Sequence, residues 1–156
     1  MHSARLALSS DVPRLGQLAE LAINELSQSK GGDVWVRREA RARPPGVSIA
    51  AALDRGHHLV LAGTYDSVVV GYAVVGVETL ADGGALGIIE DLYVEPDARE
   101  VGVGEAMMDM ILEWCADRGC FGVDALALPG DRGTKNFFET YGLVARSIVV
   151  HRALDR

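Results

Sequence analysis

A turn with two glycines, Gly102 and Gly104, is the feature of the sequence whose residue types and spacing most directly suggest chemistry. It follows a β-rich segment and opens a helix that begins near Val103. Glycine has no Cβ, so the backbone of such a turn can approach a ligand closely, and the unpaired N–H groups of a helix N-terminus attract anions. The turn therefore predicts a pyrophosphate site on the amides of residues 100–105, with a ligand-free tight turn as the alternative. It is neither a P-loop, because the Gly-Lys-Ser/Thr ending is absent, nor a dinucleotide fingerprint, because Met107 occupies the third glycine position.

The wider sequence around this turn resembles a known family. The stretch Leu92-Tyr93-Val94-x-Pro96-x-x-Arg99-x-x-Gly102-x-Gly104 is similar to the acetyl-CoA motif of the GCN5-related N-acetyltransferase (GNAT) superfamily, in which Arg or Gln precedes Gly-x-Gly/Ala after a strand. The order of elements also resembles that family over nearly the whole chain. The resemblance implies a single domain, residues 1–156, with an α/β (α+β) fold. Its single mixed, mostly antiparallel, splayed β-sheet would be flanked by about four helices.

The resemblance also implies which residues contact acetyl-CoA, the co-substrate. The pantetheine arm would hydrogen-bond to the strand edge as an additional strand does, and the pyrophosphate would lie on the helix N-terminus. Contacts are expected from Leu92, Tyr93, Val94, Arg99, Glu100, Val101, Gly102, Val103, Gly104 and Glu105, and from Asp131, Lys135 and Phe138 further along. Structural alternatives stay open for Asp131, as the N-cap of the last helix, and for Lys135, as a solvated surface residue. No metal is expected.

Two acidic residues, Glu90 and Asp91, are the candidates for contact with the acceptor. With Lys135-Asn136-Phe137-Phe138 they resemble the diamine and polyamine acetyltransferase branch, which carries a Glu-Asp pair at this place. Side chains alternate along a strand, so the two carboxylates are expected on opposite faces, and at most one would reach the acyl group. The family pattern selects Glu90, with an ordinary strand-end carboxylate as the alternative.

The chemistry of amide formation requires that a proton be removed. An amine attacks a thioester only as the free base, whereas a primary amine is mostly protonated at neutral pH. We therefore predict that Glu90 accepts this proton through a water molecule and that no covalent enzyme intermediate forms. The family usually protonates the departing thiolate with a tyrosine four residues before the helix-ending glycine, here Gly142, but this chain has Phe138 there. Tyr141, one turn further on, is the predicted substitute, with a hydrophobic contact as the alternative.

Four arginines, at positions 37, 38, 41 and 43, form a cluster in the region that, by resemblance, lines the acceptor pocket. Either they form a solvated face, or they bind a carboxylate or phosphate of the acceptor. The histidines at positions 57, 58 and 151 have no metal-ligand spacing, and their side chains are expected to point into solvent.

The composition limits the classes of partner. The chain has 156 residues, 22 Asp and Glu against 15 Lys and Arg, and a net charge of −7. Nucleic acids and anionic membranes are bound first through clustered basic residues, so neither is an expected partner, and no apolar run is long enough to span a bilayer. The chain is expected to be cytoplasmic and to act on an amine-bearing small molecule or peptide. All but two of the basic residues are Arg, which suggests a bacterial source, and Cys115 and Cys120 are expected as buried free thiols.

Hydrophobic periodicity predicts the elements that must position these residues. The expected strands are Ala4–Leu8, His58–Ala62, Val68–Glu78, Leu86–Val94, Phe121–Leu128 and Leu143–Ala153. The expected helices are one after the Ser9-Ser10-Asp11 cap, one over Val47–Asp54, one over Val103–Arg118 and one over Asp131–Tyr141, while residues 34–43 form a short helix or an ordered loop. The last strand would leave an unpaired edge carrying Val144, Ile148 and Val150, which predicts a homodimer through residues 144–153.

The leading hypothesis is an acetyl-CoA-dependent N-acetyltransferase that acts on a primary amine. The alternative is a CoA-binding regulatory module with weak or no catalytic activity, motivated by the missing hydroxyl at Phe138. Release of a free thiol in the presence of amines distinguishes the two.

Overall fold

The computed structural model describes residues 1–154 and contains five strands and five α-helices. The strands are β1 (His2–Leu6), β2 (Leu59–Tyr65), β3 (Val68–Thr79), β4 (Ala85–Val94) and β5 (Cys120–Ala125). The helices are α1 (Val12–Ser27), α2 (Gly32–Arg38), α3 (Gly46–Arg55), α4 (Val103–Asp117) and α5 (Arg132–Thr140). The segment that was expected as a short helix or a loop thus contains α2, which makes five helices rather than about four.

The five strands form one mixed sheet in the order β1-β2-β3-β4-β5. The first four strands pair antiparallel with their neighbours, and β5 is parallel to β4. Strands β2 and β3 form a hairpin, joined at Asp66 and Ser67, which both have positive φ (48° and 70°). This is the backbone of the mirror-type turns that match the right-handed twist of a hairpin.

The sheet separates two hydrophobic clusters, because successive side chains of a strand point to opposite faces. Leu61 and Val75 face α4 and α5 with Met107, Met108 and Ile111, while Val60, Tyr72 and Val74 face α1 and α3 with Leu15, Leu18 and Ile49. The methionines of α4 therefore serve as core residues. The mixed, mostly antiparallel α/β architecture expected from the sequence is confirmed.

The predicted sixth strand, Leu143–Ala153, is wrong for the described chain. Residues 143–154 have no regular secondary structure and are largely exposed. Their side-chain link to β5 is an ion pair between Arg146 and Asp124. A β-rich segment forms a strand only where its backbone can join a ladder, and within residues 1–154 this segment joins none.

Both cysteines are free thiols, as predicted, although only Cys115 is fully buried. Burial, together with the neighbouring Cys120, raises the pKa of Cys115 to about 11, so this thiol stays protonated at neutral pH. Among the described residues no helix combines the length and apolar composition needed to cross a bilayer.

Candidate active site

The edge of β4 is open where the sequence places the site. β4 pairs with β5 only up to Ile89, which lies opposite Ala125, whereas its other edge pairs with β3 as far as Val94. Along residues 90–94 the strand therefore has no neighbour on the β5 side within the described chain. The sheet is splayed at this point, as expected, and Leu92, Tyr93 and Val94 lie along the opening.

A β-bulge at Glu90 changes the direction of the two acidic side chains. Asp91 lies opposite Val74 and Ile89 lies opposite Val75, so Glu90 is an extra residue with no partner on β3. A bulge interrupts strict alternation of side chains. The expectation that Glu90 and Asp91 point to opposite faces is therefore wrong, because both carboxylates contact the same guanidinium, that of Arg41.

Asp91 accepts hydrogen bonds from two residues that are distant in the chain, Arg41 and Tyr72. The Nε of Arg41 donates to both oxygens of Asp91 at 2.9 and 3.0 Å, and the hydroxyl of Tyr72 donates to Oδ2 at 2.6 Å. Arg41 also donates to the Oγ of Ser48 on α3, at 3.1 Å. The side chain of Asp91 is only 14% exposed, and both of its oxygens already accept hydrogen bonds from protein groups.

Glu90 has the same arginine as a partner but faces outward. Its Oε1 accepts from Nη2 of Arg41 at 3.0 Å, its Oε2 lies 3.0 Å from Nε2 of His58, and 35% of its side chain is exposed. Of the two carboxylates, Glu90 is the one that a solute can reach. This geometry supports the choice made from the family pattern.

His58 is part of this cluster rather than a solvent-directed side chain, which corrects the sequence expectation. Its Nδ1 is buried and has no hydrogen-bond partner among the described residues. A neutral ring with its proton on Nε2 donates to Glu90 and leaves Nδ1 as an unpaired acceptor. In the opposite tautomer the proton is on Nδ1, where it would be buried without an acceptor, and the unprotonated Nε2 would face the Glu90 oxygen at 3.0 Å, acceptor against acceptor. The hydrogen-bond pattern therefore favours the tautomer with its proton on Nε2.

The charges of this cluster shift the pKa values of the groups around Asp91. Burial and the charge of Asp91 raise the pKa of Tyr72 well above its ordinary value, so its hydroxyl remains a donor. For Arg41 burial acts to lower the pKa, but the charge of Asp91 and the hydrogen bond to it raise the pKa overall. The guanidinium is therefore a permanent cation of the site.

The glycine turn has the backbone geometry of an anion cradle. Gly102 has φ of 96° and precedes the first residue of α4, Glu100 also has positive φ (66°), and no side chain caps the helix N-terminus. The first N–H groups of α4 are therefore free of protein capping, as an anion site requires. A Cβ on Gly102 would lie 2.8 Å from the ring of His2, and one on Gly104 would lie 3.3 Å from Phe137.

Arg99, the first residue of the motif, is held beside the turn. Its Nε donates to the carbonyl of Val94 at 2.7 Å, and its two Nη atoms donate to the carboxylate of Glu25 on α1 at 3.1 and 3.0 Å. Its guanidinium lies 5.4 Å from the centroid of the Tyr93 ring. Arg99 thereby fixes the end of β4 against α1.

Helix α5 gives structural roles to three residues that were expected at the cofactor. Asp131 is the N-cap, accepting from the N–H and the hydroxyl of Thr134, and Lys135 pairs with Glu139 at 3.1 Å. Phe138 is buried in the cluster beneath α4. These contacts match the structural alternatives that the sequence had left open for Asp131 and Lys135.

Tyr141 lies at the end of α5, half-buried against the aromatic ring of Phe137, with 5.4 Å between the ring centroids. Burial raises the pKa of Tyr141, and the nearby carboxylates of Asp109 and Glu105 raise it further. The hydroxyl is therefore protonated at neutral pH.

The arginine cluster does not act as a unit. Arg41 belongs to the site, Arg43 pairs with Glu20 at 3.1 Å, and Arg38 pairs with Glu39 at 3.1 Å. Arg37 is exposed and lines a cleft of about 330 Å³ together with Arg41 and Arg43. Within residues 1–154 no group of three His, Cys, Asp or Glu side chains is arranged to hold a metal ion.

Comparison with known proteins identifies the family. The sequence profile of the acetyltransferase (GNAT) family matches residues 19–143. No curated protein matches the sequence.

Solved structures share the fold at low sequence identity. The BH1408 protein from Bacillus halodurans is 17% identical, with a TM-score of 0.81 over 97% of this chain and 99% of that one. The aminoglycoside acetyltransferase meta-AAC0020 from an uncultured soil metagenomic sample, in complex with sisomicin, is 17% identical, with a TM-score of 0.70 over 99% and 96% of the two chains. AAC(6')-Iy, in complex with a bisubstrate analogue of CoA, is 14% identical, with a TM-score of 0.75 over 100% and 99%.

The family match runs from the second half of α1 to the end of α5, and it includes the open edge of β4 and the glycine turn. The chain belongs to the GNAT acetyltransferase family.

Proposed function

We propose that this protein transfers the acetyl group of acetyl-CoA to a primary amine, on a small molecule or a peptide, by direct attack. The observation that carries the proposal is the continuity of the site. The open edge of β4 begins at Glu90, runs past Leu92–Val94 and leads into the glycine turn at the N-terminus of α4. One extended ligand can therefore reach both an anion cradle and a solvent-accessible carboxylate.

The residues of this edge fit acetyl-CoA. Residues 92–94 present backbone N–H and C=O groups that lack a neighbouring strand, and the amides of a pantetheine arm can pair with such groups. The free N–H groups at the start of α4 suit the pyrophosphate, and no lysine is needed for this. Bound there, acetyl-CoA supplies the thioester and the thiol leaving group.

In the proposed reaction Glu90 takes one proton from the ammonium, directly or through water. The free amine nitrogen then forms the C–N bond to the thioester carbonyl carbon, the C–S bond breaks, and the sulfur leaves with the electron pair. The nitrogen loses its second proton to water, and the sulfur gains one from water or from Tyr141, which water then reprotonates. The net products are an amide, a free thiol and the proton held by Glu90. No enzyme nucleophile takes part.

Either of two groups can protonate the departing sulfur: a solvent water molecule or the hydroxyl of Tyr141. Phe138, at the position where the family usually has a tyrosine, is buried and has no hydroxyl. Tyr141 is protonated and lies one turn further on, against Phe137. A thiolate is a good leaving group, so turnover does not depend on Tyr141 alone.

The second candidate function is a CoA-binding module without turnover, and the observation that favours it is again Phe138. One result separates the two functions. Acetyl-CoA is expected to raise the melting temperature under either, because a ligand that binds only the folded state stabilises it. Only the enzyme releases CoA when an amine is added.

The deciding experiment is a thiol-release assay with a panel of amines, in which amide formation is also followed by mass spectrometry. The aminoglycoside acetyltransferases among the structural neighbours are a reason to include sisomicin beside simple alkylamines and lysine peptides. Half-buried Cys120 can itself react with a thiol reagent, so a reaction without amine is the blank. Stabilisation by acetyl-CoA without amide formation from any amine would favour the binding module.

A further inference from the structure

The acceptor side of the proposed site already holds a cation of the protein itself. The guanidinium of Arg41 lies 3.0 Å from Oε1 of Glu90 and 2.8 Å from Oδ1 of Asp91, and its side chain is only 13% exposed. A buried guanidinium with bidentate partners is a fixed part of the structure rather than a mobile counter-ion. Both carboxylates are therefore partly neutralised before any substrate arrives.

The net charge that an acceptor meets follows from counting this cluster. Glu90 and Asp91 carry two negative charges and Arg41 one positive charge, which leaves a single negative charge. His58 hydrogen-bonds to the same carboxylate of Glu90 and is not counted among these fixed charges. Because Asp91 is also bound by Tyr72, the remaining negative charge is presented through Glu90, the more exposed of the two carboxylates.

The cleft beside Arg41 adds positive charge on the outer side. It is lined by apolar side chains of α1 and α2 and by Arg37, Arg41 and Arg43. Arg43 is paired with Glu20, but Arg37 is exposed and forms no ion pair among the described residues. The guanidinium groups of Arg41 and Arg43 are paired with carboxylates, and no Asp or Glu of residues 1–154 lines the cleft. A second ammonium that enters this cleft therefore meets apolar surface and the exposed cation of Arg37, with no carboxylate from these residues in the lining to bind it.

We propose that the acceptor carries one primary ammonium and no second cationic group. Glu90 binds that ammonium, Arg41 cancels the charge of Asp91, and the rest of the acceptor, uncharged or anionic, lies toward the cleft. The inference rests on the proposed function and specifies its substrate class. A site that binds a polycation would need both carboxylates of the Glu-Asp pair free, whereas here Arg41 cancels the charge of one of them.

The test compares three acceptors with the same four-carbon chain: 1-aminobutane, 1,4-diaminobutane and 4-aminobutanoate. The wild-type protein is expected to use the better of the two monoamines with kcat/KM about ten-fold or more above that of the diamine. Arg41→Gln, which removes the internal cation, is expected to reduce this preference by about ten-fold or to reverse it. Arg38→Gln, which removes an arginine outside the cleft and the site, is the matched control and should leave the preference unchanged.

Further variants guard against loss of structure in Arg41→Gln. Arg41→Lys keeps the charge and should keep the preference for monoamines. The double variant Arg41→Gln with Asp91→Asn restores a single negative charge and should restore the preference that Arg41→Gln loses. Melting temperature and the acetyl-CoA-induced shift report folding and co-substrate binding for each protein.

The outcomes are distinguishable from those for the proposed function. Equal or better use of the diamine by the wild-type protein would overturn the inference while leaving acetyl transfer intact. So would an unchanged preference in a folded Arg41→Gln protein. Absence of amide product with every acceptor, with acetyl-CoA still binding, would instead remove the proposed function and this inference with it.

Discussion

At the scale of single residues, the bulge in β4 gives Glu90 and Asp91 different roles although they are neighbours. Both contact Arg41, but Asp91 also receives the hydroxyl of Tyr72 and is largely enclosed, whereas Glu90 is more exposed and is held by His58. A carboxylate that accepts several buried hydrogen bonds maintains structure, and one at the solvent boundary can exchange protons with a substrate.

Replacement of Glu90 by Gln should therefore impair turnover with little loss of stability. The amide is isosteric and cannot take the proton of the amine, so kcat/KM for the preferred amine is expected to fall by about ten-fold or more. The acetyl-CoA-induced shift in melting temperature should remain, because Glu90 precedes the residues expected to contact the cofactor. Asp91→Asn is the paired variant and should mainly lower the melting temperature, because it weakens the contacts with Arg41 and Tyr72. A folded Asp91→Asn protein without activity, beside an active Glu90→Gln protein, would reverse the assignment.

The sequence could predict only the part of the site that is local in the chain. The glycine turn and Glu90 lie in one continuous stretch, so a motif can identify them. Arg41, His58 and Tyr72 come from three separate segments, and their convergence depends on strand register. The bulge shifts the register of β4 against β3 by one residue at Glu90, and the hydrophobic pattern of the sequence does not show such a shift.

At the scale of elements, the N-terminus of α4 is the part that should bind the pyrophosphate, and Gly104→Glu tests it. The substitution places a carboxylate beside the free N–H groups and a Cβ 3.3 Å from Phe137, so the acetyl-CoA-induced shift in melting temperature is expected to disappear. Gly133 occupies the same second position of α5 and has open space around it, which makes Gly133→Glu the matched control. If the shift survives in Gly104→Glu, or is lost in both variants, the turn is not the specific anion site.

The junction between β1 and α1 depends on a buried carboxylate, Asp11. Arg5 donates to both of its oxygens at 2.7 and 2.9 Å, and the N–H of Leu8 donates at 2.7 Å. The hydrogen bonds from Arg5 lower the pKa of Asp11, more than burial raises it, and the Leu8 N–H lowers it further. Hydrogen bonds to a charged group contribute about 1.5–3 kcal/mol each at most, and Arg5 is partly exposed.

Asp11→Asn should therefore lower the free energy of unfolding at neutral pH by about 1–3 kcal/mol, measured by urea denaturation. Because the pKa of Asp11 is lowered in the folded protein, its contribution is complete above the ordinary Asp value of about 3.9 and is lost as the pH falls through the folded value. The difference between the two proteins should shrink over that range. Asp97→Asn, at an exposed position, is the control and should stay within about 0.5 kcal/mol of wild type. A difference that persists at the lowest pH would mean that packing, not charge, is responsible.

The elements themselves were largely predictable, and the exceptions have physical causes. Continuous β-rich runs identified β2 and β3, and apolar spacing identified α1 and α4, because these elements bury one or both faces in the core. Residues 143–153 have the same β-rich composition but lack a ladder partner. Local composition shows that a segment can form a strand, but the neighbouring strand that it must pair with is supplied by another part of the fold.

At the scale of the whole molecule, the surface near β5 exposes several large apolar side chains to solvent in a single copy of the chain. Val144, Ile148, Val149 and Val150 are 79–89% exposed, and Phe121 on β5 is 73% exposed. The edge of β5 away from β4 has no strand beside it in residues 1–154. An open edge next to an exposed β-rich segment is a site where two chains can pair.

We therefore predict a homodimer in which residues 144–153 of each copy pair with the partner, and in which Val144, Ile148 and Val150 become buried. Alternate residues of a strand share a face, so lysines at 148 and 150 would both place charge in the contact. Sedimentation velocity should show a dimer for the wild-type protein at micromolar concentration and a monomer for the double variant Ile148→Lys with Val150→Lys. Val47→Lys adds a lysine at another exposed apolar residue, on α3, and should remain dimeric. A wild-type monomer, or a dimer that persists in the double variant, would show that this surface does not join two copies.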